Sequence, residues 1–223
     1  MLPFEFLFEY FPLILNGLIL TVEVTLFGIF VGLVLGIILA IGDLHGGRAV
    51  STLIRLFVEF FRGTPIIVQL FLFQYVIPGV LHMPTNTYVT AFLVFALNSG
   101  AYQKGYIKGA MEAVSQDQMM AGLSIGMSKA QTIFHVVLPQ ALRIVIPAWS
   151  NEFCSLTKST AALSIIGLLD LTGAGWQIMG IKYRVLETWI FVAIIYLIWI
   201  TIVAKIADIV YEKKKIPGIE ISA

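Results

Sequence analysis

The sequence predicts an all-α integral membrane protein with about five transmembrane helices, and three observations carry that reading. Over 223 residues, 59% are hydrophobic and only 12% are charged, whereas soluble domains are about 45–50% apolar and about 25% charged. The mean hydropathy is +0.93, and a water-soluble core of this length could not bury so much apolar surface, so lipid must solvate much of the chain. The apolar residues also fall into runs of spanning length, and no ten-residue alternation of the β-barrel kind interrupts them.

The elements follow in order. Residues 1–12 carry Glu5 and Glu9 but no Lys or Arg, so no cleavable signal peptide is expected. Residues 13–41 are apolar apart from Asn16, Thr21, Glu23 and Thr25, and are long enough to span with tilt. Within them Gly28, Gly32 and Gly36 repeat every fourth residue, a pattern for close helix packing through small side chains. The second span, residues 64–83, opens on Pro65 and closes at the Pro78-Gly79 turn. The third, residues 88–102, is apolar up to Asn98-Ser99-Gly100. A fourth, residues 136–156, contains Arg143, Pro147, Asn151 and Glu152. The fifth, residues 189–204, has no charge and lies between Glu187 and Lys205.

Five spans put the two ends on opposite sides. With the N-terminus outside, eleven of the fourteen Lys and Arg fall on the cytoplasmic side: Arg48, Arg55 and Arg62 in a connection at 42–62, then Lys104, Lys108, Lys129 and Arg143, then Lys205 and Lys213 to Lys215, leaving Lys158, Lys182 and Arg184 outside. The positive-inside rule therefore favours N-out, C-in. A net charge of +1 argues against nucleic-acid binding through bulk charge. The lone Cys154 rules out an intramolecular disulfide. His45, His82 and His135 have no carboxylate at ligand spacing, so no metal site is expected.

The cytoplasmic connection at about 105–134 is mixed in composition. Residues 118–127 read as a short helix on which Met119, Leu123 and Met127 (i, i+4, i+8) form an apolar stripe. Ala121, Gly122 and Gly126 let another backbone come close. A helix of this kind outside the bilayer suits docking into a partner's groove. The competing reading, a lipid-surface helix, asks for a Lys/Arg-rich polar face that the segment lacks.

Several stretches resemble one family, the membrane (permease) subunits of ATP-binding-cassette importers for polar amino acids, of the histidine, arginine and glutamine type. The family's cytoplasmic signature, E-A-A, three residues, G, nine residues, I-x-L-P, aligns with Met120-Ala121-Gly122, Gly126 and Val136-Val137-Leu138-Pro139. Met120 replaces its glutamate and Gly122 its second alanine. Phe61-Arg62-Gly63-Thr64-Pro65 with Gln69 looks like F-R-G-T-P-x-x-x-Q, and Gly100-Ala101-Tyr102 resembles A-A-Y. Asn151-Glu152-Phe153 and Lys158-Ser159-Thr160-Ala161 resemble N-E-F and L-K-D-T-S. Their order and spacing over roughly residues 16–212 make the resemblance specific. It implies a single type I importer permease domain over residues 1–223, paired with a second copy or a paralogue and resting on two cytoplasmic ATPase subunits. An extracytoplasmic amino-acid-binding protein would deliver the substrate. The coupling element would comprise Met119, Met120, Ala121, Gly122, Leu123, Gly126, Met127, Leu138 and Pro139. No G-x-x-x-x-G-K-[ST] loop is present, so ATP and its magnesium belong to the partner, and no cofactor is expected on this chain. The expected location is the cell (inner) membrane.

Polar residues at membrane depth default to pathway candidates. On a helix Glu152, Ser155 and Ser159 share one face, bordered by Asn151 and Lys158. A carboxylate there could hold a substrate ammonium, and hydroxyls or amides its carboxylate. The other reading ties Glu152 to Lys158 or Arg143 in a structural pair. Gln69, Asn98 and Tyr102 are further candidates, which interhelical hydrogen bonding explains equally well. Glu23 reads as structural. Ser159 stands where many family members carry aspartate, which bears on whether this subunit favours a basic substrate. Two other function classes are weighed. An intramembrane hydrolase would need a base beside Cys154 or Ser155, and no histidine falls within a predicted span. A secondary transporter or channel is the stronger alternative, but five spans do not halve into equal inverted repeats.

Overall fold

The computed structural model describes residues 6–114 and 116–214, which contain helices and no strand. Residues 1–5, on which the absence of a leader partly rested, and Lys215, counted among the inner cations, lie outside the described residues. After a single turn, α1 (Phe6–Glu9), come α2 (Phe11–His45), α3 (Gly47–Gly63), α4 (Ile66–Leu81) and α5 (Thr87–Ala113). Then follow α6 (Gln116–Ser124), α7 (Lys129–Ile144), α8 (Ile146–Ile166), α9 (Leu171–Lys182) and α10 (Val185–Lys214).

α2 and α10 are each long and apolar enough to cross a membrane alone. Two bent pairs reach that standard together: α3 with α4, bent by 108°, and α7 with α8, bent by 58°. α5 has the length, at 27 residues, but a more polar sequence. It survives because Asn98, Ser99, Gln103 and Lys104 face inward. Two single helices and two bent pairs thus meet the length and composition of a span, up to four in all, and with α5, which has the length alone, the count agrees approximately with the five expected. Residues 42–62, expected to be a cytoplasmic connection, form most of α3, whose Val58 and Phe61 pack against Ala101 and Leu97 of α5. The second span is thus a broken element beginning before residue 64. The fourth does not run straight through residues 136–156, and it continues to Ile166.

Prolines explain the irregularities. A proline ring clashes with the carbonyl four residues back and offers no N–H. Pro78 and Pro139 each follow a π-helical turn, Leu72–Val76 and Ile133–Val137, that widens the helix around that carbonyl. Pro147 cannot bond the carbonyl of Arg143, and the bend between α7 and α8 falls there.

The glycine repeat of the first span forms the groove into which α5 packs. A Cβ at Gly28 would lie 2.9 Å from Leu156 and 3.2 Å from Phe95. At Gly32 it would lie 2.9 Å from Ser99, and at Gly36 2.9 Å from Gln103. The Gln103 amide reinforces this seam by donating to the Ile29 carbonyl at 2.9 Å. At the end of α2, the Asp43 carboxylate, 2% exposed, holds Lys104 at 2.7 Å and Lys108 at 2.8 Å. It also accepts from Ser51 at 2.5 Å, so one buried acid ties α2, α3 and α5 together. At the opposite end Asp170 caps α9 through Thr172 and Gly173, and it accepts from the Tyr196 hydroxyl of α10 at 3.2 Å. Only Thr188 and Val192 of α10 are buried, and its exposed face of Leu197, Ile198, Ile202 and Ile206 suits lipid.

Candidate functional site

The turn between α3 and α4 is held open by amides. Gln69 Nε2 donates to the Phe61 carbonyl at 2.8 Å and to the Thr64 carbonyl and hydroxyl at 3.0 Å. Asn98 Nδ2 donates to the same Phe61 carbonyl at 3.2 Å and to Gln69 Oε1 at 3.0 Å. Pro65 prevents the helix from continuing through this turn. The result is a fixed ledge, Arg62 to Ile66, facing α5 and α8 across a cavity of about 600 Å³.

Its walls carry Arg62 and Thr64 from the ledge and Asn98, Tyr102 and Tyr106 from α5. Asn151, Glu152, Ser155, Leu156 and Ser159 come from α8. Arg62 lies over the Tyr102 ring with its guanidinium carbon 5.2 Å from the centroid, a cation–π contact that steadies a charge at the cavity edge. Glu152 is 5% exposed. The hydroxyls of Ser99 and Tyr106 act on its carboxylate, and the Arg62 charge acts on it through space. Among the described residues neither Glu152 nor Arg62 forms an ion pair, and Glu152 is tied to neither Lys158 nor Arg143. Opposite charges therefore stand on different walls of one cavity, with neutral hydrogen-bonding groups between them. The Asn98 amide nitrogen is committed to the ledge, which leaves its carbonyl oxygen for the cavity. Ser159 Oγ donates back to the Ser155 carbonyl at 3.0 Å.

Six of the eight binding candidates line this cavity: Asn98, Tyr102, Asn151, Glu152, Ser155 and Ser159. Gln69 is fully buried behind the ledge and positions it. Lys158 is exposed and lies outside the lining. Sequence reasoning missed Arg62, Thr64 and Tyr106. Arg62 and Thr64 enter the sequence reading through the F-R-G-T-P resemblance, and Arg62 also as a topology-setting cation, but neither as a binding group; the place of Arg62 just before Gly63-Thr64-Pro65, at the mouth of a span, was the usable signal. Tyr106 repeats Tyr102 one turn on.

The apolar stripe expected at Met119, Leu123 and Met127 is divided by the fold. Met119 turns inward onto the cluster of Met111, Val114 and Ile133, whereas Met120, Leu123 and Ile125 are exposed. Gly122 fixes this rotation, since a Cβ there would meet Thr132 at 2.6 Å. Gly126, at φ +87°, takes the left-handed turn that ends α6, with Met127 N–H donating to the Gly122 carbonyl at 3.1 Å. Met127 therefore lies beyond the helix, off the i+8 position of the stripe. Ala121 is exposed, Leu138 is buried at 9%, and Pro139 is exposed.

Residues 32–215 match the family described as binding-protein-dependent transport system inner membrane component. The chain is 32% identical over 188 residues to the glutamine transport system permease protein GlnP of Escherichia coli K12, covering 84% of this chain and 86% of that one. It is 30% identical over 204 residues to the arginine transport system permease protein ArtQ of Bacillus subtilis, covering 92% and 93%. A crystal structure of an amino acid ABC transporter with histidines superposes with a TM-score of 0.85 at 30% identity, covering 94% of this chain and 98% of that one. The inward-facing MetNI methionine ABC transporter, at 18% identity and a TM-score of 0.77, covering 97% of this chain and 100% of that one, shares the fold.

Proposed function

The chain belongs to the family of binding-protein-dependent transport system inner membrane components, and from that premise we propose that it is the membrane-spanning subunit of an ATP-driven importer of polar amino acids. It is a multi-pass membrane protein, and the ATPase is a separate chain. One observation carries the substrate reading: Arg62 and Glu152 face one cavity from different elements, and neither forms an ion pair among the described residues. An amino acid carries one carboxylate and one ammonium. The Arg62 guanidinium matches a carboxylate through paired N–H donors, and the Glu152 carboxylate accepts from an ammonium. The volume of about 600 Å³ falls within the range of small-molecule sites, roughly 300–1,000 Å³.

The remaining lining groups, Asn98, Asn151, Ser155 and Ser159, are neutral donors and acceptors. They suit an amide or hydroxyl side chain better than a second positive charge, so a neutral polar amino acid is the favoured substrate over a basic one. The rest of the assembly comprises two ATP-binding-cassette subunits, which hold ATP and its magnesium, and a second permease, either a copy or a paralogue. An extracytoplasmic binding protein completes it, and the N-terminus lies outside with the C-terminus in the cytoplasm. The exposed Met120, Leu123 and Ile125 form the face for the ATPase, with Gly122, Gly126, Leu138 and Pro139 setting its position rather than touching the partner.

The test is uptake by proteoliposomes holding the chain with its ATPase, each of the twenty amino acids being offered in labelled form. ATP-dependent accumulation of a neutral polar amino acid supports the reading. Uptake driven by an ion gradient without ATP would instead identify a secondary transporter.

A further inference from the structure

We propose that the charged stripe of α3 is the cytoplasmic exit path of the cavity, running from Arg62 past Glu59 and Arg55 and facing the glycine-lined side of α5. The inference rests on the transport reading above and adds a route to it.

α3 has three faces. Ser51, Val58 and Phe61 are buried against α2 and α5, and Leu53, Leu56 and Phe60 are exposed and apolar. Arg48, Thr52, Arg55, Glu59 and Arg62 recur at steps of four, three, four and three, and so occupy about 80° of arc at 3.6 residues per turn. All five are exposed. α3 forms part of a broken span, and charged residues in such an element face water or protein rather than lipid. Glu59 has no ion-pair partner among the described residues.

The matching stripe of α5, Asn98, Tyr102, Gly105, Gly109 and Glu112, has the same spacing. Arg62 joins the two stripes at the cavity: it stacks on Tyr102, and a Cβ at Gly105 would have only its guanidinium nearby, at 3.4 Å. Toward the cytoplasm Asp43 holds Ser51 of α3 beside Lys104 and Lys108 of α5, so both stripes descend along the same side of that contact. Nothing lies within 4 Å of a Cβ at Gly109. Glycine is unfavourable inside a helix. Gly28, Gly32 and Gly36 are needed for backbone approach, whereas Gly105 and Gly109 leave open space beside a charged stripe that begins at the binding cavity. Charges of alternating sign, Arg62, Glu59 and Arg55, offer a zwitterion successive weak contacts on its way out.

The experiment places single cysteines in a Cys154→Ser background of the complete complex: Glu59→Cys and Gly109→Cys on the path, and Leu56→Cys on the apolar face. A membrane-impermeant cationic thiosulfonate is applied from each side, and uptake is followed for the amino acid that the unmodified complex transports fastest. The path predicts reaction from the cytoplasmic side at Glu59→Cys and Gly109→Cys and none at Leu56→Cys. The adduct should slow uptake about tenfold, the rate loss expected for a modestly raised barrier, with half-saturation unchanged because the cavity is untouched. Unreactive thiols at both path positions, as in a closed contact between copies, would overturn the proposal while leaving ATP-dependent uptake intact. Adducts that leave uptake at the unmodified rate would overturn it too. Absence of ATP-dependent uptake in the unmodified complex would remove the transport reading itself.

Discussion

Glutamine in place of Glu152 keeps the shape of the side chain and removes its charge. The residue is 5% exposed and has no ion-pair partner among the described residues. A glutamine there keeps an oxygen able to accept from the Ser99 and Tyr106 hydroxyls, and it stays on the polar wall of the cavity. Folding should therefore change little. Affinity should change more, because a hydrogen bond to a charged group contributes about 1.5–3 kcal/mol, which is roughly ten- to a hundredfold in half-saturation. Membrane abundance and concentration-dependent uptake, measured on one preparation, separate the two roles. Abundance near wild type with a raised half-saturation supports a substrate ammonium at Glu152. Reduced abundance with unchanged half-saturation would refute it and assign the carboxylate to structure.

Asp43→Ala strips the counter-charge from Lys104, whose side chain is 9% exposed, and should cost about 3–5 kcal/mol, read as lost membrane abundance and a lower unfolding temperature in detergent. The paired change Asp43→Leu with Lys104→Met should recover much of that loss. Met120→Asp places a charge on the exposed face of α6 and should abolish stimulated ATP hydrolysis while leaving the spans folded, whereas Met119→Asp, facing the Met111 and Ile133 cluster, should lower abundance first. Normal turnover in Met120→Asp would remove that face from coupling. Ser128→Cys in a Cys154-free background should react with an impermeant reagent only from the cytoplasmic side; reaction from outside would invert the proposed topology.

The first and last spans, α2 and α10, were legible in hydropathy alone because lipid imposes a simple constraint on composition. The Gly28, Gly32 and Gly36 seam was legible for a related reason: close backbone approach leaves only glycine. α3 was not. Its Arg48, Arg55, Glu59 and Arg62 read as a soluble connection, since hydropathy averages over faces and this helix keeps its apolar and charged faces apart. The prolines were visible, but the sequence did not show that Pro78 and Pro139 would be absorbed by π-turns while Pro147 bends the span. In the cavity, the α8 face of Asn151, Glu152, Ser155 and Ser159 followed from helical spacing. Arg62 did not, because its role depends on a turn stapled by Gln69 and Asn98 from two other elements. Gly126 illustrates the same limit. Read as a site of close approach, it is a left-handed helix end with open space around it, so a bulky substitution there would strain the backbone before it disturbed a partner.

The most direct test of the account is whether the purified chain, reconstituted with its ATP-binding-cassette subunits and the extracytoplasmic binding protein, accumulates an amino acid only when ATP is hydrolysed. The account predicts ATP-dependent uptake of a neutral polar amino acid, with Arg62→Gln and Glu152→Gln each raising half-saturation by roughly ten- to a hundredfold. Uptake of equal rate without ATP, or half-saturation indifferent to both charges, would contradict it.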